Sequence, residues 1–333
     1  MSISATKTKE YLERRLLAFA WNEWSQMGVL ATPDQPSPWA QDPEALLLFT
    51  LDVARADPRL FDEVLDWLLF NEGHISVRRV RALSRRVGDA TLAAAALEWA
   101  SGRGRDTSAG SSTNPSTDEP QRLFFDKSFP IRHPDAVFLR HGWLRPKAKE
   151  SLKAKPPELR APVNFAFRLR LMLGTGARAE VVRYLLCADA PSSTVATITQ
   201  SAMYTKRNVH EALSELEDAE VAMLVRGGWE TRHGIDHERW AVLLDQPDGF
   251  PSHVHWPQLL AALARILRWL RDAERSKLSD YLLASAATDL LAEVRNDLEL
   301  AGVAMLPQRG SADALADLDG VIERSLDMIS VSK

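Results

Sequence analysis

The side chains best suited to meet a polyanion in this chain lie between positions 205 and 233. Thr205, Lys206, Arg207, Asn208 and His210 stand together, and Arg226, Arg232 and His233 follow. An arginine guanidinium can donate two parallel hydrogen bonds to the major-groove edge of guanine, and an asparagine amide can pair with adenine. Lysine and arginine elsewhere neutralise phosphate without reading sequence. The set therefore fits contact with double-stranded DNA. Arg207, Asn208 and His210 are the candidates for reading bases, and Lys206, Arg226 and Arg232 for anchoring phosphates. The chemistry requires one rigid element to carry the first group and a second to carry Arg226, Arg232 and His233.

The spacing around these residues predicts such elements. Val209, Ala212, Leu213 and Leu216 fall at i, i+3, i+4 and i+7 and form one buried stripe of a helix. Thr205 can cap that helix by accepting a bond from a free N–H in its first turn. At 100° per residue the opposite face carries Arg207, Glu211 and Ser214, with Lys206 and His210 beside it. Cations then sit in the first turn and Glu215, Glu217 and Asp218 in the last, against the preference of the helix dipole. A recognition helix has a reason for that order, because its N-terminal end enters the major groove. Ahead of it a shorter helix, capped by Ser192 or Ser193, is expected to run to about Thr199, with a turn over Gln200–Tyr204. Behind it Val221–Val225 reads as a strand, Gly227-Gly228 as a tight link, and Trp229, Thr231 and Ile235 as the return strand. Asp236 is expected to cap a short helix in "HERWAVLLD".

Two short helices followed by a hairpin are the pattern of a winged helix-turn-helix. The stretch "YTKRNVHEALSELEDAEVAMLVRGGWETR" resembles the winged-helix core of bacterial MarR- and ArsR-type regulators, matching at Tyr204, Lys206, Val209, Ala212, Leu213 and Leu216. The resemblance covers about residues 165–245. It implies binding to operator DNA as a homodimer. It departs at Glu220, where those families carry a glycine that caps the helix in the left-handed conformation.

The rest of the chain predicts a mainly α fold. The central winged helix-turn-helix with its small β-hairpin is flanked by N-terminal and C-terminal helical domains. Residues 1–100 read as the N-terminal helical domain, with Asp42-Pro43 and Asp57-Pro58 opening two helices. Part of it echoes the pattern of residues 177–199, so a degenerate winged-helix copy is one reading. Residues 101–121 are rich in Ser, Gly and Thr and read as a flexible linker. Residues 122–162 read as a basic connecting segment, residues 163–247 as the winged-helix domain, and residues 248–333 as the C-terminal helical domain. Two long apolar stripes there (Leu259 to Leu270 and Leu282 to Leu298) suit either intramolecular packing or a homodimer seam.

Bulk composition narrows the function. The chain has 333 residues, 45% apolar and 26% charged, with a net charge of −4, so any affinity for nucleic acid must come from a local basic surface. Residues 160–245 hold ten Lys/Arg against eleven Asp/Glu, which counts against DNA and favours protein docking. The arginine-rich "HISVRRVRALSRR" reads first as a solvated helix face and second as a further DNA contact. Cys187, the one cysteine, lies in an apolar run and reads as a buried structural thiol. No apolar leader core opens the chain and no window is long enough to span a membrane, so a cytoplasmic protein is expected. "LGTGARAE" lacks the Lys-Ser/Thr of a phosphate loop. His233, His237, His253 and His255 have no cysteine partners, so no metal, cofactor or catalytic residue is expected. The expected function is a sequence-specific DNA-binding transcriptional regulator, one form of which is an autoregulating antitoxin with a cognate toxin as protein partner. The alternative is a winged-helix protein-docking adaptor without DNA binding.

Overall fold

Helix α1 (Ile3–Gln26) is followed by two helices that Asp-Pro pairs open. Asp42 accepts a hydrogen bond from Ala45 N at the head of α2 (Pro43–Val53), and Asp57 accepts from Arg59 N and Leu60 N at the head of α3 (Pro58–Asn71). Proline at the first helical position lacks an N–H that would have had no partner there. Ser76 and Asp89 cap α4 (Val77–Leu83) and α5 (Ala90–Ala100) in the same way. The computed structural model describes residues 3–102, 119–128, 130–227, 230–272, 275, 278–305 and 313–330. The linker expected over 101–121 falls mostly outside these residues.

The basic connecting segment is not a free arm. Strand β1 (Gln121–Arg122) pairs in parallel with β2 (Trp143–Leu144), and α6 (Ala136–Arg140) lies between them. Arg145 is buried, with its guanidinium over the rings of Phe61, Phe124 and Phe138 and one nitrogen 2.5 Å from Asp62. Asp66 of α3 accepts backbone N–H bonds from Ser151, Leu152, Lys153 and Ala154 at 2.9–3.2 Å. The end of this basic segment is thus fixed along α3, because its own N–H groups find an acceptor there.

The central region runs α7 (Phe165–Leu173), α8 (Ala177–Cys187), β3 (Ser192–Thr194), α9 (Val195–Ala202), α10 (Lys206–Asp218), β4 (Ala222–Gly227), β5 (Glu230–Ile235) and α11 (His237–Leu243). Its sheet is antiparallel in the order β3-β5-β4. Ser192 and Ser193 do not cap a helix; they pair with Gly234 and His233, and Thr194 caps α9 instead. A Ser-Ser-Thr run has no apolar alternation of its own, so this strand exists only through its partner. In the hairpin Gly227 pairs with Glu230, while Gly228 and Trp229 lie outside the described residues. Asp236 caps α11.

Helices α12 (Trp256–Arg271), α13 (Asp280–Leu300) and α14 (Ala314–Met328) complete the described chain. They are not a domain apart from the N-terminal helices. Leu12, Leu16, Leu47, Trp67, Leu259, Leu263, Leu291 and Ile322 belong to one continuous apolar core. The stripe Leu259–Leu270 is buried on this core, and so is most of the stripe on α13. Both are therefore intramolecular packing rather than an open seam. Trp24 and Trp67 meet edge to face at 5.0 Å inside it. A second core gathers α7–α10 with Ile235 and Trp240. The molecule is mainly helical with one small three-stranded antiparallel sheet. Among the described residues no helix is long and apolar enough to cross a membrane.

Candidate nucleic-acid interface

Helix α10 turns the side predicted from its periodicity inward. Val209, Ala212, Leu213 and Leu216 are all buried in the second core. Thr205 Oγ1 accepts from Asn208 N at 3.2 Å, and its hydroxyl donates to Asn208 Oδ1. Asn208 thus holds the cap from within while its amide nitrogen has no partner among the described residues. Lys206, Arg207 and His210 are exposed. The Arg207 side chain is 85% exposed, and its Nε donates to Glu211 Oε1 at 2.8 Å within the same helix. An exposed pair of this kind is screened by solvent and holds weakly, so a stronger anion would readily displace it. The far end of α10 closes as a Schellman motif, with Val221 N bonded to Leu216 O and Glu220 N to Glu217 O, both at 2.9 Å. Glu220 takes the left-handed conformation itself, at φ 57°.

The hairpin presents fewer free cations than its sequence implies. His233 is 5% exposed, with Nδ1 2.6 Å from Glu217 Oε1. It links β5 to α10 and does not face outward. A strand alternates sides, and position 233 falls on the side packed against α10. Arg232 Nη2 donates to Ser192 O at 2.9 Å, and its Nη1 lies 3.6 Å from Glu230. It ties β5 to β3, though the side chain keeps 38% of its surface exposed. Arg226 lies on β4 opposite Thr231, and its side chain is outside the described set. The structure therefore brings Thr205, Lys206, Arg207, Asn208 and His210 together at the start of α10 and does not add His233 to them.

Beneath that surface lies a buried charge cluster that the sequence reading did not single out. Arg79 of α4 forks onto Asp42 and reaches Glu44 at 2.7 Å. Arg170 of α7 forks onto Glu44 at 2.7 Å and meets Glu180 of α8 at 2.6 Å, and Arg183 donates to Glu180 at 2.9 Å. All six side chains are at most 2% exposed. Burial pushes the Asp42 and Glu180 carboxyls up, but the arginines against them win and hold both below the ordinary carboxylate range. Burial likewise disfavours charged Arg79, and Asp42, Glu180 and Glu44 outweigh it. The signal for Glu180 and Arg183 was present in "AEVVRYLL", as opposite charges at i, i+3 inside an apolar helix. Nothing local pointed to Arg79, which stands in a run of arginines and reads there as solvated.

This cluster grips the turn that leads into α10. Arg79 Nε donates to Ala202 O at 3.3 Å, and Gln258 of α12 donates to Gln200 O at 3.0 Å. Met203 occupies the left-handed region at φ 56° and packs on the main core. The Tyr204 hydroxyl is set beside Ser76, the cap of α4. The start of α10 is thus held from below by both the N-terminal and the C-terminal helices, while its outer side stays open.

Other chemistry finds little support. A groove of about 580 Å³ between α4 and α5 is lined mainly by Ile75, Val77, Val80, Ala93 and Leu97, and its polar rim includes Glu98 and His141, already paired at 2.7 Å. Burial pushes the Cys187 thiol up to about 12, so it is no nucleophile at neutral pH. His253 and His255 touch edge to face at 4.6 Å, and burial with the nearby Arg183 lowers both imidazoles, that of His253 well below its ordinary range. Among the described residues no group of three or more His, Cys, Asp or Glu is placed to hold a metal ion.

No family model, no curated protein and no solved structure matches this chain.

Proposed function

We propose that this chain is a sequence-specific DNA-binding transcriptional regulator, with α10 as its reading element and the β4–β5 hairpin as the wing of a winged helix-turn-helix. The observation that carries the reading is the open, cationic start of a helix whose other side is anchored in a core. The element order helix–strand–helix–helix–strand–strand, with β5 between β3 and β4, supports it. In this reading Arg207, Asn208 and His210 face base edges while Lys206 and Arg226 meet phosphates. A homodimer would set two copies of α10 about one DNA turn apart on a palindromic site. An autoregulating antitoxin, with a toxin as protein partner, is one form of such a regulator.

The alternative is a docking adaptor built on the same module. Met223 and Leu224, apolar side chains of β4 that are 47% and 44% exposed, favour it. A titration against random duplex DNA separates the two. The regulator binds at low salt, and log K falls linearly with log salt. An adaptor shows no binding at any salt, and that outcome would sink the DNA reading.

A further inference from the structure

The groove between α4 and α5 offers no free acid–base pair, since Glu98 on its wall is already taken by Arg140 and His141. Its walls and its remaining charges suit a bound molecule instead. Helix α5 turns Ala90, Ala93, Ala94 and Leu97 toward the groove, a stripe at i, i+3, i+4 and i+7. Three of the four are alanines, whose methyl groups leave open the space that longer side chains would fill. The facing wall is Val77 and Val80 of α4, and Val77 stays 42% exposed. The opening measures about 580 Å³, inside the range of about 300–1,000 Å³ that small-ligand sites occupy. Water finds few polar partners between aliphatic walls, so an apolar body that displaces it is favoured.

Two charged side chains on the groove have no hydrogen-bond or ion-pair partner among the described residues. Arg81 stands exposed on the second turn of α4, and Glu72 stands exposed in the turn before that helix. From Gly73 to Gly88 the chain carries five arginines and no acid, so the field along the α4 wall is positive. An anion therefore meets an uncommitted guanidinium fork at Arg81, the geometry that a carboxylate matches. Glu72 repels a second anionic group near the start of α4.

We propose that this groove binds a small amphipathic monocarboxylate, its apolar body between Val77, Val80 and the alanine face of α5 and its carboxylate on Arg81. The opposite side of α4 carries Arg79, which donates to Ala202 O in the turn ahead of α10. The ligand thus seats on the helix that holds that turn. The site stands whether or not α10 binds DNA.

Calorimetric titration of the full-length protein with decanoate, decanol and decylamine tests it, because these probes share one apolar body and differ in the charge of the head. Wild type is expected to bind decanoate about tenfold more tightly than decanol, and decylamine most weakly. R81A should bring decanoate down to the level of decanol and leave decanol unchanged, a split that misfolding would not give. A94F, which fills the groove from an exposed position, should abolish binding of both. No decanoate binding by wild type overturns the proposal. Decanoate affinity unchanged in R81A or in A94F overturns it too, as does tighter binding of decylamine than of decanoate. A wild-type dimer that A94F converts to monomer would put a second copy of the chain in the groove, and that also overturns it.

Discussion

Arg79 Nε, on the fourth helix from the N-terminus, donates to the carbonyl oxygen of Ala202 at 3.3 Å, 123 residues away in sequence. The guanidinium that does this is the same one that forks onto Asp42 and reaches Glu44. A planar donor with five N–H groups can serve all three acceptors at once. The consequence is mechanical: the turn ahead of the exposed cationic helix is fixed to the helical body rather than carried on a flexible module.

Replacing Arg79 should therefore cost far more than a surface arginine would. Arg79→Ala leaves the buried Asp42 with only Arg183, 3.6 Å away, and Glu44 with Arg170 alone, and the expected loss is about 3–5 kcal/mol in denaturant unfolding. Arg79→Lys should recover only a fraction, since an ammonium cannot fork onto a carboxylate and reach a carbonyl together. A loss under about 1 kcal/mol for Arg79→Ala would show that the cluster is not what holds this junction.

DNA binding should separate by residue. Arg207→Ala is expected to reduce discrimination between a selected site and random duplex by about 1–3 kcal/mol. Lys206→Ala and Arg226→Ala should instead weaken all sequences alike and flatten the salt dependence. Site selection followed by filter binding reads both effects, and equal behaviour of Arg207→Ala and Lys206→Ala would contradict the division of roles.

Glu23 sets a pH dependence of its own. It is fully buried, accepting from Ser37 Oγ at 2.5 Å and Trp39 Nε1 at 2.9 Å. Burial outweighs these bonds and raises its carboxyl to about 7. A raised acid favours the folded state below the unfolded value near 4.5, and that advantage is lost as pH rises through about 7. Stability should therefore fall by roughly 3 kcal/mol at most across this window from Glu23 alone. Glu23→Gln should flatten the profile between pH 4.5 and 7 in urea melts; an unchanged profile would mean that the carboxyl titrates normally.

The two left-handed residues that bracket α10 should respond oppositely to glycine. Glu220 is exposed at φ 57°, so Glu220→Gly removes strain and should raise stability by about 1 kcal/mol. Met203 has the same backbone at φ 56° but packs on the main core. Met203→Gly should lower stability by about 1–3 kcal/mol, as the lost apolar burial exceeds the relieved strain. Chemical denaturation midpoints decide both signs.

Several elements could be read directly because their causes are local. The Asp-Pro starts of α2 and α3, the Thr205 cap, the stripe Val209–Leu216 and the Asp236 cap depend on residues within one or two turns. The exposed face of α10 followed from that stripe by geometry alone. Strand β3 was missed because Ser192–Thr194 becomes a strand only when β5 lies beside it. His233 was misplaced because its environment depends on Glu217, across the module. The end of α10 lacks the glycine that the resembled families carry there, yet the Schellman hydrogen bonds form with Glu220 itself in the left-handed conformation.

The amino-acid order alone was enough for where α2, α3, α10 and α11 begin, which side of α10 is apolar, and that the Thr205–His210 cations share one helix start. Those properties arise from hydrogen bonds and periodicities that span only a few residues. Long-range packing settled that the first and last helices share one core, that Arg79 is a buried clamp while Arg78, Arg81 and Arg85 stay open, and that His233 faces inward. Each of these depends on charges and carbonyls brought together from distant parts of the chain, and no short-range pattern records which partner a side chain will meet.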